Sequence, residues 1–354
     1  MIAAKPKFFF NWLLVYSHKK NQGFTLAEIL ISIIIGGIII TGLLAVVVEL
    51  LTTNNREVSR TETQREMQMA LDFVAAELRE SVHIYDGNCL QQQDDPYFQY
   101  KPNGSLCSGI IRNNYIPTPA NSTPILVFWK LDNLPQTVLT SCQNNQTGPT
   151  DRPYPCLAGK SYTLVAYFLT KNQPTDTAWK GKARIQRWEL PAYNSNGNPI
   201  RGYADPIAPG MNFNRWPLNA QNIDQRTGTE TLPAPTTLVD FVDDSNLTTL
   251  AQNQGTAAAT VQCPNGYALT PSDNTLNNYS FSQVRNFYGC VRIPDDLIPG
   301  ASNTTGAFNQ KVILFLRGNA SGKPGIKEDN QGFLPAIATQ VLNRGVKDKQ
   351  PPKD

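Results

Sequence analysis

One acidic residue stands inside a long apolar segment near the start of the chain, and its neighbours suggest why it is there. Glu28 lies five residues after the Gly23–Phe24 junction, and a leader containing Lys19 and Lys20 precedes that junction. A carboxylate in a membrane-spanning segment costs roughly 2.5–3.5 kcal/mol on insertion scales, so it normally has a partner. Cleavage between Gly23 and Phe24 would create such a partner, the new amino group of Phe24.

The segment that follows Glu28 has the length and composition of a membrane span. Residues 29–48 contain no charged side chain. Twenty residues at about 1.5 Å each cover the hydrocarbon core of a bilayer, which is about 30 Å thick. The lysines of the leader predict that the leader is cytoplasmic and that the C-terminal part lies outside the cytoplasm. Gly36, Gly37 and Gly42 fit either close helix packing or local loss of helix.

The sequence Gly-Phe-Thr-Leu-Ala-Glu at 23–28, with the basic leader and the apolar run, resembles the processing site of type IV prepilins and pseudopilins. The resemblance implies that a prepilin peptidase cleaves after Gly23 and N-methylates Phe24. It also implies that Glu28 pairs with the Phe24 amine of a neighbouring subunit. The alternative is an ordinary signal anchor in which Glu28 has no partner.

The resemblance also implies where the protein works and with which partners. These are membrane lipid, other pilins or pseudopilins contacted through the N-terminal helix, an inner-membrane platform and a motor ATPase. The protein would start in the inner membrane and move into a periplasmic or cell-surface fibre. The size of the chain resembles that of a minor pilin or minor pseudopilin, and its layout is similar to the pseudopilins of the cyanobacterial hormogonium polysaccharide-secretion system. The fibre would then support secretion, surface motility or both. The alternative is an adhesive minor pilin whose head loops capture glycan or DNA.

The remaining sequence predicts an α+β fold, a long N-terminal helix packed on a β-sheet-rich, disulfide-bonded head. The expected order is a leader (1–23), a transmembrane helix (24–52), an amphipathic helix that continues it as one rod (53–85), a β-rich extracytoplasmic head (86–345) and a disordered tail (346–354).

The amphipathic helix is predicted from spacing. Its apolar residues recur every three or four positions, which places them on one helical face; they are Met67, Leu71, Val74, Leu78, Val82 and Tyr85. The opposite face is predicted to be solvated and charged, with Arg56, Glu57, Arg60, Glu62, Glu66, Asp72, Glu77 and Arg79.

Strands are predicted where short runs are rich in β-branched and aromatic residues. The runs are 125–131, 162–169, 183–190, 238–242, 288–293, 311–317 and 335–342, and the second and third are expected to form a hairpin. Two stretches, 191–235 and 251–283, are predicted to be long loops, which are usually functional or disordered.

The cysteines predict disulfides. An even number of cysteines confined to an exported head is typical of a disulfide framework, and sequence-adjacent pairing is the simplest connectivity. A zinc site is disfavoured because the chain has only two histidines, His18 and His83. The candidate cysteines are Cys89, Cys107, Cys142, Cys156, Cys263 and Cys290.

No pattern of residues predicts catalysis. The acidic groups at 94–95, 240–244 and 295–296 lack the spacing of a calcium loop and are expected in solvated turns. The Gly-Lys pair in 318–325 lacks phosphate-loop spacing, and His83 is predicted to have a packing or capping role near the helix end. We therefore expect a non-enzymatic protein with no metal and no cofactor. The rival is a membrane-anchored secreted enzyme.

Charge gives no support for nucleic-acid binding. The leader holds four of the 31 basic residues and no acidic one, so the rest of the chain has 27 basic and 28 acidic residues. Proteins that bind nucleic acid usually carry a clear excess of basic residues. No nucleic-acid partner is therefore expected.

Overall fold

The structure is a computed structural model, and it describes residues 24–91, 107–150, 152–228, 232–246, 261–272, 285–292, 310–326 and 335–343. The chain divides into two compact units after Asn55. The elements are α1 (Leu26–Glu80), β1 (Ser81–Ile84), α2 (Gly87–Gln91), β2 (Ser122–Asn133), α3 (Gln136–Gln143), β3 (Lys160–Lys171), β4 (Ala183–Leu190), β5 (Thr236–Val242), β6 (Tyr267–Thr270), β7 (Phe287–Arg292), β8 (Lys311–Arg317) and β9 (Ala336–Leu342).

The predicted α+β class is confirmed, since a long apolar helix precedes antiparallel sheets. The predicted leader and tail, and the acidic pairs at 94–95 and 295–296, lie outside the described residues.

Three hydroxyl groups in the apolar half of helix α1 are satisfied within the helix itself. The hydroxyls of Ser32, Thr41 and Thr52 donate to the carbonyl oxygens four residues earlier, at distances of 2.7, 2.7 and 2.8 Å. A helix with internal backbone bonds and internally bonded hydroxyls leaves few polar groups unsatisfied in an apolar surrounding.

Helix α1 ends at Glu80, five residues before the predicted end. The Ser81 hydroxyl donates to the Leu78 carbonyl at 2.6 Å, and the next residues form strand β1. In β1, His83 and Ile84 pair antiparallel with Trp129 and Phe128 of β2. Val82 and Tyr85 follow helical spacing in the sequence, but the available strand edge of β2 takes this segment out of the helix. His83 is therefore a strand residue and not a residue of the helix end.

The larger sheet has the order β1-β2-β3-β4-β5, and each neighbouring pair is antiparallel. The predicted hairpin is confirmed: β3 pairs with β4 from Leu164 opposite Leu190 to Lys171 opposite Ala183. Strand β1 was not predicted, because four residues directly after a helix are too few for a period of two to show.

The smaller sheet has the order β6-β7-β8-β9, also antiparallel. Strands β7, β8 and β9 agree with the predicted runs to within one residue at each end. Strand β6 lies inside the predicted loop 251–283, so that prediction was wrong for these four residues. Pairing with β7, for example of Ala268 with Val291, makes these residues a strand, although the four-residue sequence shows no strand pattern.

Two hydrophobic cores lie on opposite faces of the five-stranded sheet. The first joins one face of that sheet to the inner face of the four-stranded sheet and to the predicted stripe of α1, in which Met67 and Leu71 are fully buried. The second lies on the other face, around Trp129 and Trp188. Tyr203 and Trp216 come from the predicted long loop 191–235, so much of that loop serves as a core layer.

Three disulfides join Cys89 to Cys107, Cys142 to Cys156 and Cys263 to Cys290. These are the sequence-adjacent pairs. Their Cα–Cα distances of 5.1 to 5.6 Å are ordinary for disulfides.

Glu77 corrects the predicted charged face of α1. Its side chain is buried, and its carboxylate accepts two hydrogen bonds from Arg187, at 2.9 and 2.7 Å. Lys130 lies 3.0 Å from the same carboxylate, and the Tyr167 hydroxyl donates to it. Burial by itself would raise the pKa of Glu77, but the hydrogen bonds and charges of these partners lower it to about 2. An ionised Glu77 thus binds α1 to strands β2, β3 and β4.

Candidate functional site

The N-terminus of α1 is closed by a reciprocal pair of residues. The Thr25 backbone N–H and hydroxyl each donate to Glu28 Oε2 at 3.0 Å, and the Glu28 N–H donates to the Thr25 hydroxyl oxygen at 3.3 Å. This arrangement is a capping box, which satisfies free N–H groups at a helix start. Thr-x-x-Glu before an apolar run is the sequence signal of a capping box. The prediction for Glu28 covered only its pairing with a neighbouring subunit and did not include this role.

The capping box fixes one carboxylate oxygen and leaves the other available. Both hydrogen bonds from Thr25 end on Glu28 Oε2, whereas Oε1 accepts none from the described residues. Phe24, the residue just before the box, has a side chain that is 84% exposed. Gly23, on the other side of the predicted cleavage bond, lies outside the described residues. The geometry can thus hold a carboxylate toward a cation that approaches from another molecule.

The surface around Glu28 is apolar, and none of the residues that the structure describes covers it. Every large hydrophobic side chain from Phe24 to Leu51 is 49% to 85% exposed. By length and composition this is the one helix in the described chain that could cross a membrane. A Cβ added at Gly36, Gly37 or Gly42 would meet no atom within 4 Å. The helix continues through all three glycines, which leave flat, open places on its surface.

Several acidic residues of the head that could have formed a metal site have structural roles instead. Asp240 accepts hydrogen bonds from the Lys180 and Gly181 N–H groups, and Asp243 accepts them from Ser245 and Asn319. Asp240 lies in strand β5 and Asp243 is fully buried, so the prediction of solvated turns was wrong for these two residues. Within the described part of the chain, no three His, Cys, Asp or Glu side chains are grouped to hold a metal.

Lys323, the lysine of the Gly-Lys pair, contacts helix α1. Its ammonium group lies 2.8 Å from Glu66 and 3.6 Å from Glu62. The adjacent Pro324 carbonyl accepts a hydrogen bond from Ser59 at 2.7 Å. This loop therefore holds the helix and does not form a phosphate site.

A cavity of about 610 Å³ opens on the side of the second core, lined in part by Tyr162 and Arg152. The guanidinium of Arg152 donates to the carbonyl oxygens of Ala192, Ile200 and Tyr203 at 2.9 to 3.0 Å. Three carbonyl partners consume most of its donors, so Arg152 holds the cavity wall together.

His83 packs among aromatic rings. Its ring lies 4.7 Å from the ring of Tyr85, edge to face, and 5.5 Å from the ring of Phe213, stacked. Of the packing and capping roles predicted for His83, these ring contacts support packing, and the residue lies in a strand and not at the helix end.

A comparison with protein families finds the prokaryotic N-terminal methylation motif at residues 18–44. No curated protein and no solved structure matches the chain. The matched residues include the Gly23–Phe24 junction, the capping box and the first half of the apolar surface. The motif belongs to structural proteins that prepilin peptidase processes and that assemble with other pilins. Motif, long apolar helix and disulfide-bonded antiparallel head together support a type IV pilin-like protein, and the helix is consistent with membrane anchoring.

Proposed function

We propose that this chain is a non-enzymatic minor pilin or minor pseudopilin that is cleaved between Gly23 and Phe24 and inserted into a fibre. The observation that carries the proposal is the exposed apolar surface of α1, from Phe24 to Leu51, which begins inside the methylation motif and extends beyond it. That surface needs lipid before assembly, and the apolar helices of other subunits afterwards.

Within this proposal, Glu28 sets the position of one subunit against the next. The Phe24 amine created by cleavage is a cation at the same depth as Glu28. Glu28 Oε1 would accept a hydrogen bond from the Phe24 amine of a neighbour, while Oε2 stays in the capping box. An ion pair in a low-dielectric surrounding is strong enough to select one register among many apolar ones.

The finer assignments follow the resemblance. The head would lie outside the cytoplasm of an inner-membrane subunit, and an inner-membrane platform with a motor ATPase would extract the subunit from the bilayer. The fibre would support secretion, with polysaccharide as one candidate cargo, or surface motility. The uncovered helix serves any of these roles equally well.

Processing is tested by the mature terminus. In cells with a prepilin peptidase, mass spectrometry of the wild-type protein should find N-methyl-Phe at position 24. Gly23→Ala should leave a longer protein in the membrane fraction, because the resemblance implies that the peptidase recognises glycine itself before the cleaved bond. Ser17→Ala, a leader change away from the junction, is the control and should be processed. Fibres that contain protein starting at Met1 would contradict the proposal.

A further inference from the structure

The four-stranded sheet has one face in the first core and another that the core does not use. The inner residues of β7 and β8, such as Phe287 and Leu314, are fully buried. The alternate residues point the other way because side chains alternate along a strand. We call these the outer sheet face. On β7, β8 and β9 it consists of Tyr288, Cys290, Arg292, Lys311, Ile313, Phe315, Arg317, Ala336, Ala338, Gln340 and Leu342. Cys290, which is disulfide-bonded to Cys263, is buried, and the others are half-buried or exposed.

An aromatic pair and two small residues shape a slot on this face. The rings of Tyr288 and Phe315 are stacked, with centroids 4.6 Å apart. Across the β8–β9 pairing, Phe315 lies opposite Ala338 and Arg317 lies opposite Ala336. The alanines leave a slot of about 140 Å³ next to Phe315 and Arg317. Its volume suits one ring of a larger ligand and not a whole drug-sized molecule.

The outer sheet face is basic. Lys311 and Arg317 are both half-buried, and neither lies within ion-pair distance of an acidic group of any residue that the structure describes. Burial raises the pKa of the nearby Asp243, and the charge of Arg317 partly opposes that rise. Burial raises the pKa of the Tyr288 hydroxyl, and the charges of Arg317 and Arg285 oppose that rise, so both guanidinium groups lie near this ring. No residue of the defined face is acidic. A ligand that complements it must combine a ring with negative charge.

We propose that the outer sheet face binds an acidic polysaccharide. One sugar ring would lie in the slot against Phe315, with its carboxylate at the guanidinium of Arg317. Lys311 is six residues away on the same strand, about 20 Å at roughly 3.3 Å per residue, so it would contact a different sugar of the same chain. A linear polymer with repeated carboxylates matches this spacing of cations. The proposal depends on the proposed function only in placing the head outside the cytoplasm.

The same face suits single-stranded nucleic acid less well. Sequence-independent nucleic-acid binding uses aromatic faces on which successive bases stack. Here Tyr288 and Phe315 cover one face of each other, and a single slot remains.

Binding of full-length protein in detergent micelles to immobilised polygalacturonate tests the inference, with neutral dextran as the reference polymer. The wild type should bind polygalacturonate and not dextran, and added salt should weaken binding because the contacts are ionic. Lys311→Gln with Arg317→Gln should weaken binding about tenfold, the change that roughly 1.4 kcal/mol produces. Lys160→Gln with Lys180→Gln removes the same charge from exposed positions elsewhere in the head and should leave binding unchanged.

A second variant separates the slot from the charges. Phe315→Leu keeps an apolar side chain but removes the ring face, so it should weaken binding while Lys311 and Arg317 remain. Equal losses in the two double variants would overturn the proposal, as would wild-type binding no stronger than binding to dextran. Tighter binding of oligothymidylate than of polygalacturonate would replace it with a nucleic-acid site. None of these measurements requires assembly, so failure here leaves the proposed fibre role untouched.

Discussion

The two halves of helix α1 differ in how much of their apolar side chains is exposed, although they belong to one continuous helix. In the first half, up to Asn55, the large hydrophobic side chains are at least 49% exposed. In the second half, from Arg56, Met67, Leu71 and Leu78 are completely buried in the first core. The described residues thus leave the first half uncovered, whereas the second half packs on the two sheets.

The difference distinguishes an uncovered apolar surface from one that forms a core. The second half has a narrow apolar stripe and a buried, fully paired carboxylate, Glu77. The first half is apolar all round and holds Glu28, whose second oxygen has no partner in the described chain. A helix that is apolar on every side is expected inside a membrane or a bundle. Removal of the same atoms from the two halves should therefore have different consequences.

The largest expected effect on head stability comes from matched leucine truncations. Leu71→Ala should lower the free energy of unfolding by about 4 kcal/mol, because it leaves a cavity in the first core. Leu44→Ala, at a position 58% exposed, should change head stability by less than about 0.5 kcal/mol. Urea unfolding of the full chain in micelles, followed by fluorescence of the buried Trp129 and Trp188, measures both. Similar losses in the two variants would mean that the first half also packs on the head.

A slightly smaller loss is expected from Glu77→Ala. It would leave Arg187 and Lys130 half-compensated by Glu189 and Asp132, and should cost about 3 kcal/mol of unfolding free energy. The same urea experiment measures it. Asp72→Ala, which removes an exposed acid from the same helix, should stay within about 0.5 kcal/mol of wild type. A neutral Glu77→Ala result would show that the cluster is not formed in solution.

Lowering the pH should reduce the free energy of unfolding by protonating Glu77, and this effect should be smaller than that of Glu77→Ala. The folded-state pKa of Glu77 is about 2, below the ordinary 4.5. A depressed pKa contributes stability that is fully present above about pH 4.5 and is lost as the pH falls through about 2. The difference in unfolding free energy between wild type and Glu77→Gln should therefore shrink across this range. A difference that stays constant from pH 5 downward to about 2 would argue against an ionised, paired Glu77.

The sequence predicts the structure best where its pattern of apolar and polar residues is long. The apolar run, the stripe from Met67 to Leu78 and strands of six or more residues all appear as expected. The short strands β1 and β6 could not be predicted, because the partner strand decides them and four residues carry no clear period. Val82 has helical spacing, yet pairing with β2 ends the helix before it.

The burial and pairing of side chains whose partners are distant in the sequence could not be predicted either. Glu77 reads as one of several helix acids, and only the approach of Arg187, 110 residues later, makes it a buried ion pair. The capping box, in contrast, is formed by residues three positions apart. The sequence Thr25-x-x-Glu28 is therefore enough to predict it. The outer sheet face needs the register of β8 with β9, which places Ala338 beside Phe315. No sequence pattern gives that register.

The central claim is that the exposed half of α1 assembles with neighbouring subunits through Glu28. The most direct measurement is the ratio of fibre-bound to membrane-bound protein for Glu28→Leu, in cells that lack the wild-type copy. The account predicts normal cleavage and insertion but at least a tenfold loss from the sheared-fibre fraction, about 1.4 kcal/mol or more of lost pairing. Glu49→Leu, an exposed acid farther along α1, should assemble normally. Wild-type incorporation of Glu28→Leu would contradict the account.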